Sequence, residues 1–313
     1  MITDKKNILF NYLLALSPIV FCAIYFFKLN TLRLIGCCVI SSVLIDIASN
    51  MVLRKKPFST FMESAVVGLL FSLCLPPALD CIYAVIGIFI SIVITRKLFE
   101  GKENIVPFNS VLFGRVFLLL SFTTAMSKWT ESSWNVSAGD IALTTTATPL
   151  DCMNARMASY LQFDWSSNDL LIDIFFGNRN GCLGEISSFA IIIGGVFLLL
   201  SRTVSWRIPI SFLLTSFIFA WLAPTGSVPP IINLLSGSLL FSAFFLAGDR
   251  QSSPSHPFGQ IIFGFGCGLL TMIIRSSSSS IYPEGAAFAI LVMNALVPLI
   301  DKFSNKFFTR GAA

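Results

Sequence analysis

The chain has 313 residues, of which 55% are hydrophobic and 12% charged, about half the charged share of an average soluble domain (~25%). Lys and Arg total 21 against 16 Asp and Glu, a net charge of +5, and the mean hydropathy is +0.81. This composition excludes a soluble globule, a disordered chain and a fibrous repeat. The basic residues lie scattered between apolar blocks, which excludes a nucleic-acid surface.

The first ten residues, MITDKKNILF, place a basic prefix before an apolar run. No small-residue cleavage site follows, so the segment reads as a retained first helix rather than a signal peptide. Apolar runs then predict spans at about 8–27, 31–52, 62–77, 80–96, 108–126, 185–201, 207–223, 230–247, 259–274 and 284–300. A span needs ~20 apolar residues. The third and fourth are short and meet at Pro76-Pro77, the mark of a tilted, broken or re-entrant pair. The fold class expected is an all-α polytopic membrane protein of about ten transmembrane helices.

With the N-terminus inside, the segments between these spans place 14 Lys and Arg inside and 6 outside, with Arg115 within a span. That bias predicts cytoplasmic termini. Three regions follow: N-terminal helices over 1–126, an external loop region over 127–184, and C-terminal helices over 185–313. The loop carries Trp129, Trp134, Trp165 and the run Thr144-Thr145-Thr146-Ala147-Thr148-Pro149. Its length is that of a folded, ligand-bearing loop rather than a turn. Within it, residues 170–176 read as dipping back towards the membrane.

The eight Cys read as small buried hydrophobes, and the single His256 argues against a histidine-based metal centre. Asp46 and Arg115 fall inside spans, where each needs a partner or a functional role. Glu63 reads as a helix-start acid. The glycines at 194–195 and 264–268 suit close helix packing. FGFGCG has no strand–turn–helix context, so it is not a dinucleotide fingerprint.

Separated segments fit one family. They are GLLFSLCLPP at 68–77, KLFEGKENIVPFNSVLFGRVFLLLSF at 97–122, TTATPL at 145–150 and GNRNGCLGEISSFAIIIGG at 177–195. SWRI at 205–208, FGQIIFGFGCGLLTMIIR at 258–275 and YPEGAAFAILVMNALVPLID at 282–301 continue the series. Together they resemble the RnfD/RsxD subunit of the bacterial Rnf complex and, more distantly, the NqrB subunit of the sodium-translocating NADH:quinone oxidoreductase.

The resemblance implies FMN bound covalently through a phosphoester on the last Thr of an S/T-x-A-T motif. Here the motif is Thr145-Thr146-Ala147-Thr148, so Thr148 is the expected attachment site and Thr146 the nearest alternative. The acidic residue that usually stands three positions earlier is Ala142 here. Relatives also bind riboflavin through a G-x-N-x-F-N-P-A segment. This chain reads Val106-Pro107-Phe108-Asn109-Ser110, and Asn109 matches the second Asn. A segment resembling M-A-T-D-P reads Leu246-Ala247-Gly248-Asp249-Arg250, with Asp249 retained.

The implied function is electron relay in a ferredoxin:NAD+ oxidoreductase coupled to Na+ or H+ translocation, inactive alone. The implied location is the bacterial inner membrane, and the implied partners are RnfA, RnfB, RnfC, RnfE, RnfG and membrane lipid. Three alternatives stay open: an NqrB-like subunit of a sodium pump, a flavin-independent secondary transporter with broken helices, and a flavin-free structural subunit.

Overall fold

The computed structural model describes residues 2–53, 61–99, 107–129, 150, 168–177, 179–223, 228–277 and 284–309. Every regular element among them is helical. Helix α1 (Ile2–Leu53) is more than twice the length of a span and turns at Lys28, whose φ is 49°. The hydroxyl of Thr31 donates to the Ala23 carbonyl (3.0 Å) across that bend and is fully buried. Helix α2 (Phe61–Leu73) follows, then α3 (Cys81–Phe89), which continues as a π-helical segment, Ile90–Leu98. Next come α4 (Ser110–Ser121), the short α5 (Thr123–Met126) and α6 (Asn168–Phe176).

The C-terminal half holds α7 (Ser188–Leu200), α8 (Arg207–Leu222), α9 (Pro230–Leu235) and α10 (Leu239–Phe241). A second π segment, Ser242–Leu246, extends α10. Helices α11 (Pro257–Ser276) and α12 (Ala286–Thr309) end the series.

One contiguous core joins α1, α2, α4, α7, α8, α11 and α12. Large apolar side chains also cover the outside. Phe21 and Leu29 on α1, Trp221 on α8 and Leu299 on α12 are each more than 60% exposed. An all-α chain apolar both inside and outside is suited to lipid rather than water.

The expectation of about ten spans is corrected. Among the described residues, four helices are long and apolar enough to cross a membrane: Lys6–Val52, Cys81–Leu98, Pro257–Ser276 and Ala286–Lys306. The other apolar runs are cut. The run at 62–77 yields 13 helical residues and then leaves the helix at Cys74. The run at 108–126 breaks at Phe122 (φ −131°, ψ 49°). The run at 230–247 splits into six helical residues, three more and a π turn of five. Hydropathy senses composition, not helix continuity, and these breaks are themselves apolar. The sides assigned to the intervening segments rested on that count.

The glycines serve packing. A Cβ on Gly264 would stand 2.6 Å from the Ile208 carbonyl oxygen, and one on Gly268 2.7 Å from that of Phe212. Helix α11 therefore lies backbone to backbone on α8, as small residues in spans permit. Residues 170–176 form the C-terminal part of α6, with Ile174 buried against Val228 and Ile232.

Candidate functional site

The breaks in α2 and α9–α10 meet a loop at residues 179–187, and two arginines hold this junction. Arg179 donates through Nε to the Ile186 carbonyl (2.9 Å), through Nη1 to that of Leu235 (2.6 Å) and through Nη2 to that of Glu185. Arg275 donates to the carbonyls of Glu284 (3.3 Å), Asn233 (2.6 Å) and Ser236 (3.1 Å). Chain breaks among apolar side chains leave carbonyls that neither helix nor water can satisfy, and a guanidinium answers several at once. Burial pulls Arg179 down to about 10, which leaves it charged at neutral pH.

Arg115, on α4 and 2% exposed, forms a two-oxygen ion pair with Glu284 at the start of α12. Its Nη2 also donates to Cys182 Sγ (3.3 Å), and Glu185 Oε1 accepts from the Cys182 amide (2.6 Å). Donor atoms of Cys182, Glu185 and Glu284 lie within 4.8 Å of one another. Arg115, Arg179 and Arg275 already exceed the two glutamates by one positive charge. A cation would also have to displace Arg115, so the cluster reads as one buried ion pair with hydrogen bonds around it that close the junction.

At the other end of α2 lies a cavity of about 260 Å³, just below the usual size of small-molecule sites (roughly 300–1,000 Å³). Its lining mixes apolar side chains, Ile8, Leu9, Val66, Leu70 and Phe245, with polar ones, among them Tyr12, Glu63, Arg96, Thr203, Asp249 and Gln251. An apolar lining with a few donors and acceptors is the usual make-up of a small-molecule site.

The first π segment brings charge to this cavity. Arg96 Nη2 pairs with Glu63 Oε2 (3.3 Å). The next residue, Lys97, points to α1, where its Nζ meets Asp46 Oδ1 (2.9 Å) and Asn50 Oδ1 (2.7 Å). Asp46 is therefore a paired group, and Glu63 is more than a helix-start acid. Asp249 Oδ1 accepts from the Gln251 amide (3.2 Å). Burial raises the Asp249 carboxyl above its usual range, partly offset by the Gln251 amide and the charge of Arg96. Arg250 also lines the cavity and donates to the carbonyls of Thr203 (3.0 Å) and Arg202 (2.8 Å).

Asn109 borders the cavity and caps α4. Its Oδ1 accepts from the Leu112 amide (3.1 Å), and its Nδ2 donates to the Leu246 carbonyl at the end of the second π segment (3.0 Å). With the Asn294 amide oriented to donate to the Ser252 carbonyl (3.0 Å), its oxygen accepts from the Asn109 amide (2.9 Å). The structure brings Asn109 and Asp249 to one cavity. Thr145, Thr146, Ala147 and Thr148 lie outside the described residues.

Nothing in the sequence pointed to Tyr12, Arg96, Thr203 or Gln251 at this site. They come from four distant segments, which only the fold brings together.

The sequence has relatives among known proteins. Residues 2–309 match the model of the NQR2, RnfD, RnfE family. The chain is 39% identical to the D component of the Na+-translocating ferredoxin:NAD+ oxidoreductase complex of Acetobacterium woodii, over 97% of this chain and 90% of the relative. It is 36% identical to the D component of the proton-translocating ferredoxin:NAD+ oxidoreductase complex of Clostridium ljungdahlii, over 97% and 92%. It is 31% identical to the D component of an ion-translocating oxidoreductase complex of Aliivibrio salmonicida, over 93% and 90%.

Proposed function

The chain belongs to the NQR2, RnfD, RnfE family, and from that premise we propose how it works as a multi-pass inner-membrane subunit of an Rnf-type ion-translocating oxidoreductase. It carries FMN covalently on Thr148 and relays electrons between ferredoxin and NAD+ in a complex with RnfA, RnfB, RnfC, RnfE and RnfG. A second, non-covalent flavin, riboflavin, occupies the cavity bordered by Asn109. Both termini face the cytoplasm, and Na+ or H+ is the coupling ion.

The observation that carries this reading is the family match along residues 2–309, with an S/T-x-A-T motif at Thr145-Thr146-Ala147-Thr148. A Thr hydroxyl and a flavin phosphate can join as a phosphoester, which leaves the ring free. Bound flavin supplies one- and two-electron chemistry. The chain would supply apolar side chains, Val66, Leu70 and Phe245, to pack against the ring and Asp249, Arg96 and Thr203 to hydrogen-bond it. Asn109 fits as a positioning residue, since its side chain already joins α4 to the second π segment.

The test is a denaturing gel of the purified complex read under ultraviolet light, with the acid-soluble flavin collected separately. The band of this chain should fluoresce, and riboflavin should appear in the soluble fraction. A dark band from a complex active in ferredoxin:NAD+ oxidoreduction would overturn the covalent-flavin reading.

A further inference from the structure

Among the described cysteines, Cys38, Cys74, Cys182 and Cys267 are buried, as packing thiols should be. Cys37 on α1 and Cys81 at the start of α3 are only half-buried, and they meet. The Cys37 Sγ lies 3.9 Å from the Cys81 carbonyl oxygen and faces the Cys81 side chain as well, although the two residues stand 44 positions apart.

A second contact ties the same two places. Arg33, one turn before Cys37, pairs with Asp80, the residue before Cys81 (Nη2–Oδ1 3.6 Å). Both of these side chains are more than half exposed, so this end of α3 sits at the level of water or lipid headgroups rather than hydrocarbon. The far end of the same helical stretch is held by Lys97, whose Nζ meets Asp46 and Asn50. The stretch from Cys81 to Leu98 therefore runs beside the second half of α1 in the same direction, with an ion pair at each end.

We propose that Cys37 and Cys81 are a redox-sensitive thiol pair, which a disulfide-bearing oxidant converts to an intrachain disulfide that fastens α3 to α1. The fold brings the two residues together in the reduced chain, which is the geometric condition a disulfide sets. Partial exposure beside a charged pair lets a water-soluble oxidant reach them. Cys38 is the competing thiol, but it is fully buried, with its carbonyl packed against Gly68 of α2.

The step is thiol–disulfide exchange. One cysteine thiolate attacks a sulfur of the oxidant and releases the other half of the oxidant as a thiol. The second cysteine attacks the mixed disulfide, the Cys37–Cys81 S–S bond forms, and the second half leaves as a thiol. The cysteines lose two electrons, the S–S bond of the oxidant gains them, and the two cysteine protons end on the released thiols. The same helical stretch carries Arg96 to the cavity, so the bond anchors that stretch from its far end.

The experiment uses the whole complex, treated with oxidised glutathione or with a reducing agent, quenched by alkylation and digested without reduction. Mass spectrometry should find the peptides of Cys37 and Cys81 joined, at their summed mass less two hydrogens, in the oxidised sample alone. Fragment ions should assign the bond to Cys37 and leave Cys38 alkylated. The oxidised complex should unfold at a higher temperature than the reduced one, because the bond restrains the unfolded chain, and that difference should vanish in Cys81→Ser.

After oxidation, Cys37 and Cys81 found alkylated, carrying glutathione singly or joined to other cysteines would overturn the proposal. A cross-link that leaves the unfolding midpoint unchanged overturns the fastening of α3. Should C81S fail to assemble, Cys37→Ser takes its place, and the cross-link in the wild-type complex decides without either variant.

Discussion

Asn109 and Arg115 stand six residues apart on one helix and serve two different sites, the cavity and the arginine-held junction. Asn109→Ala removes the α4 cap, a loss of about 1 kcal/mol, and strips the Leu246 carbonyl of its donor, a further cost of about 1–3 kcal/mol where it stays buried. Thermal unfolding of the purified complex should show a lower midpoint and less retained riboflavin. An unchanged midpoint would refute the bridging role. For Arg115, removing one member of a buried ion pair costs roughly 3–5 kcal/mol, whereas removing both is often near neutral. Glu284→Ala should therefore destabilise strongly, and R115M/E284M should recover most of the loss. A double variant no better than the single would contradict the pairing.

These residues also show what was legible at this scale. Asp46 and Arg115 stood out because charge in an apolar run demands a partner, and the structure supplies Lys97 and Glu284. Asn109 and Asp249 were legible through resemblance. Arg179 and Arg275 were not, because their partners are backbone carbonyls, which leave no trace in residue type.

Among the elements, the apolar runs were read correctly as helix-rich and wrongly as continuous. A run such as 230–247 contains Ser236-Gly237-Ser238, and Gly237 takes φ 66° there. The flanking residues are apolar enough to hide that turn in a hydropathy window. Glycine spacing proved more informative, since Gly264 and Gly268 lie one helical turn apart and both meet α8. Gly268→Val should force α8 and α11 apart. Overpacking of this kind costs about 1–3 kcal/mol, read as a lower unfolding midpoint, while Gly36→Ala, at a position with open space, should leave it in place. Equal effects of the two would contradict the close packing.

The π segments have their own consequence. They set Arg96 and Lys97 on neighbouring targets in α2 and α1 and bring the Leu246 carbonyl to Asn109. Such irregular turns are often found at functional sites. Neither segment was read from the sequence.

For the molecule as a whole, the two ends are basic, with Lys5, Lys6, Lys302, Lys306 and Arg310. Basic flanks favour the cytoplasm. A reporter fused after Arg310 should be active only in its cytoplasmic form, and an externally active fusion would reverse the orientation.

The central claim is that this chain carries its own redox group on Thr148. Peptide mass spectrometry of the digested complex tests it most directly. The peptide containing Thr148 should bear the mass of one FMN less water, and Thr148→Ala should abolish that addition and stop electron flow. A modification found on Thr146 would move the site within the motif and keep the chemistry. An unmodified peptide from a flavin-replete, active complex would contradict the account.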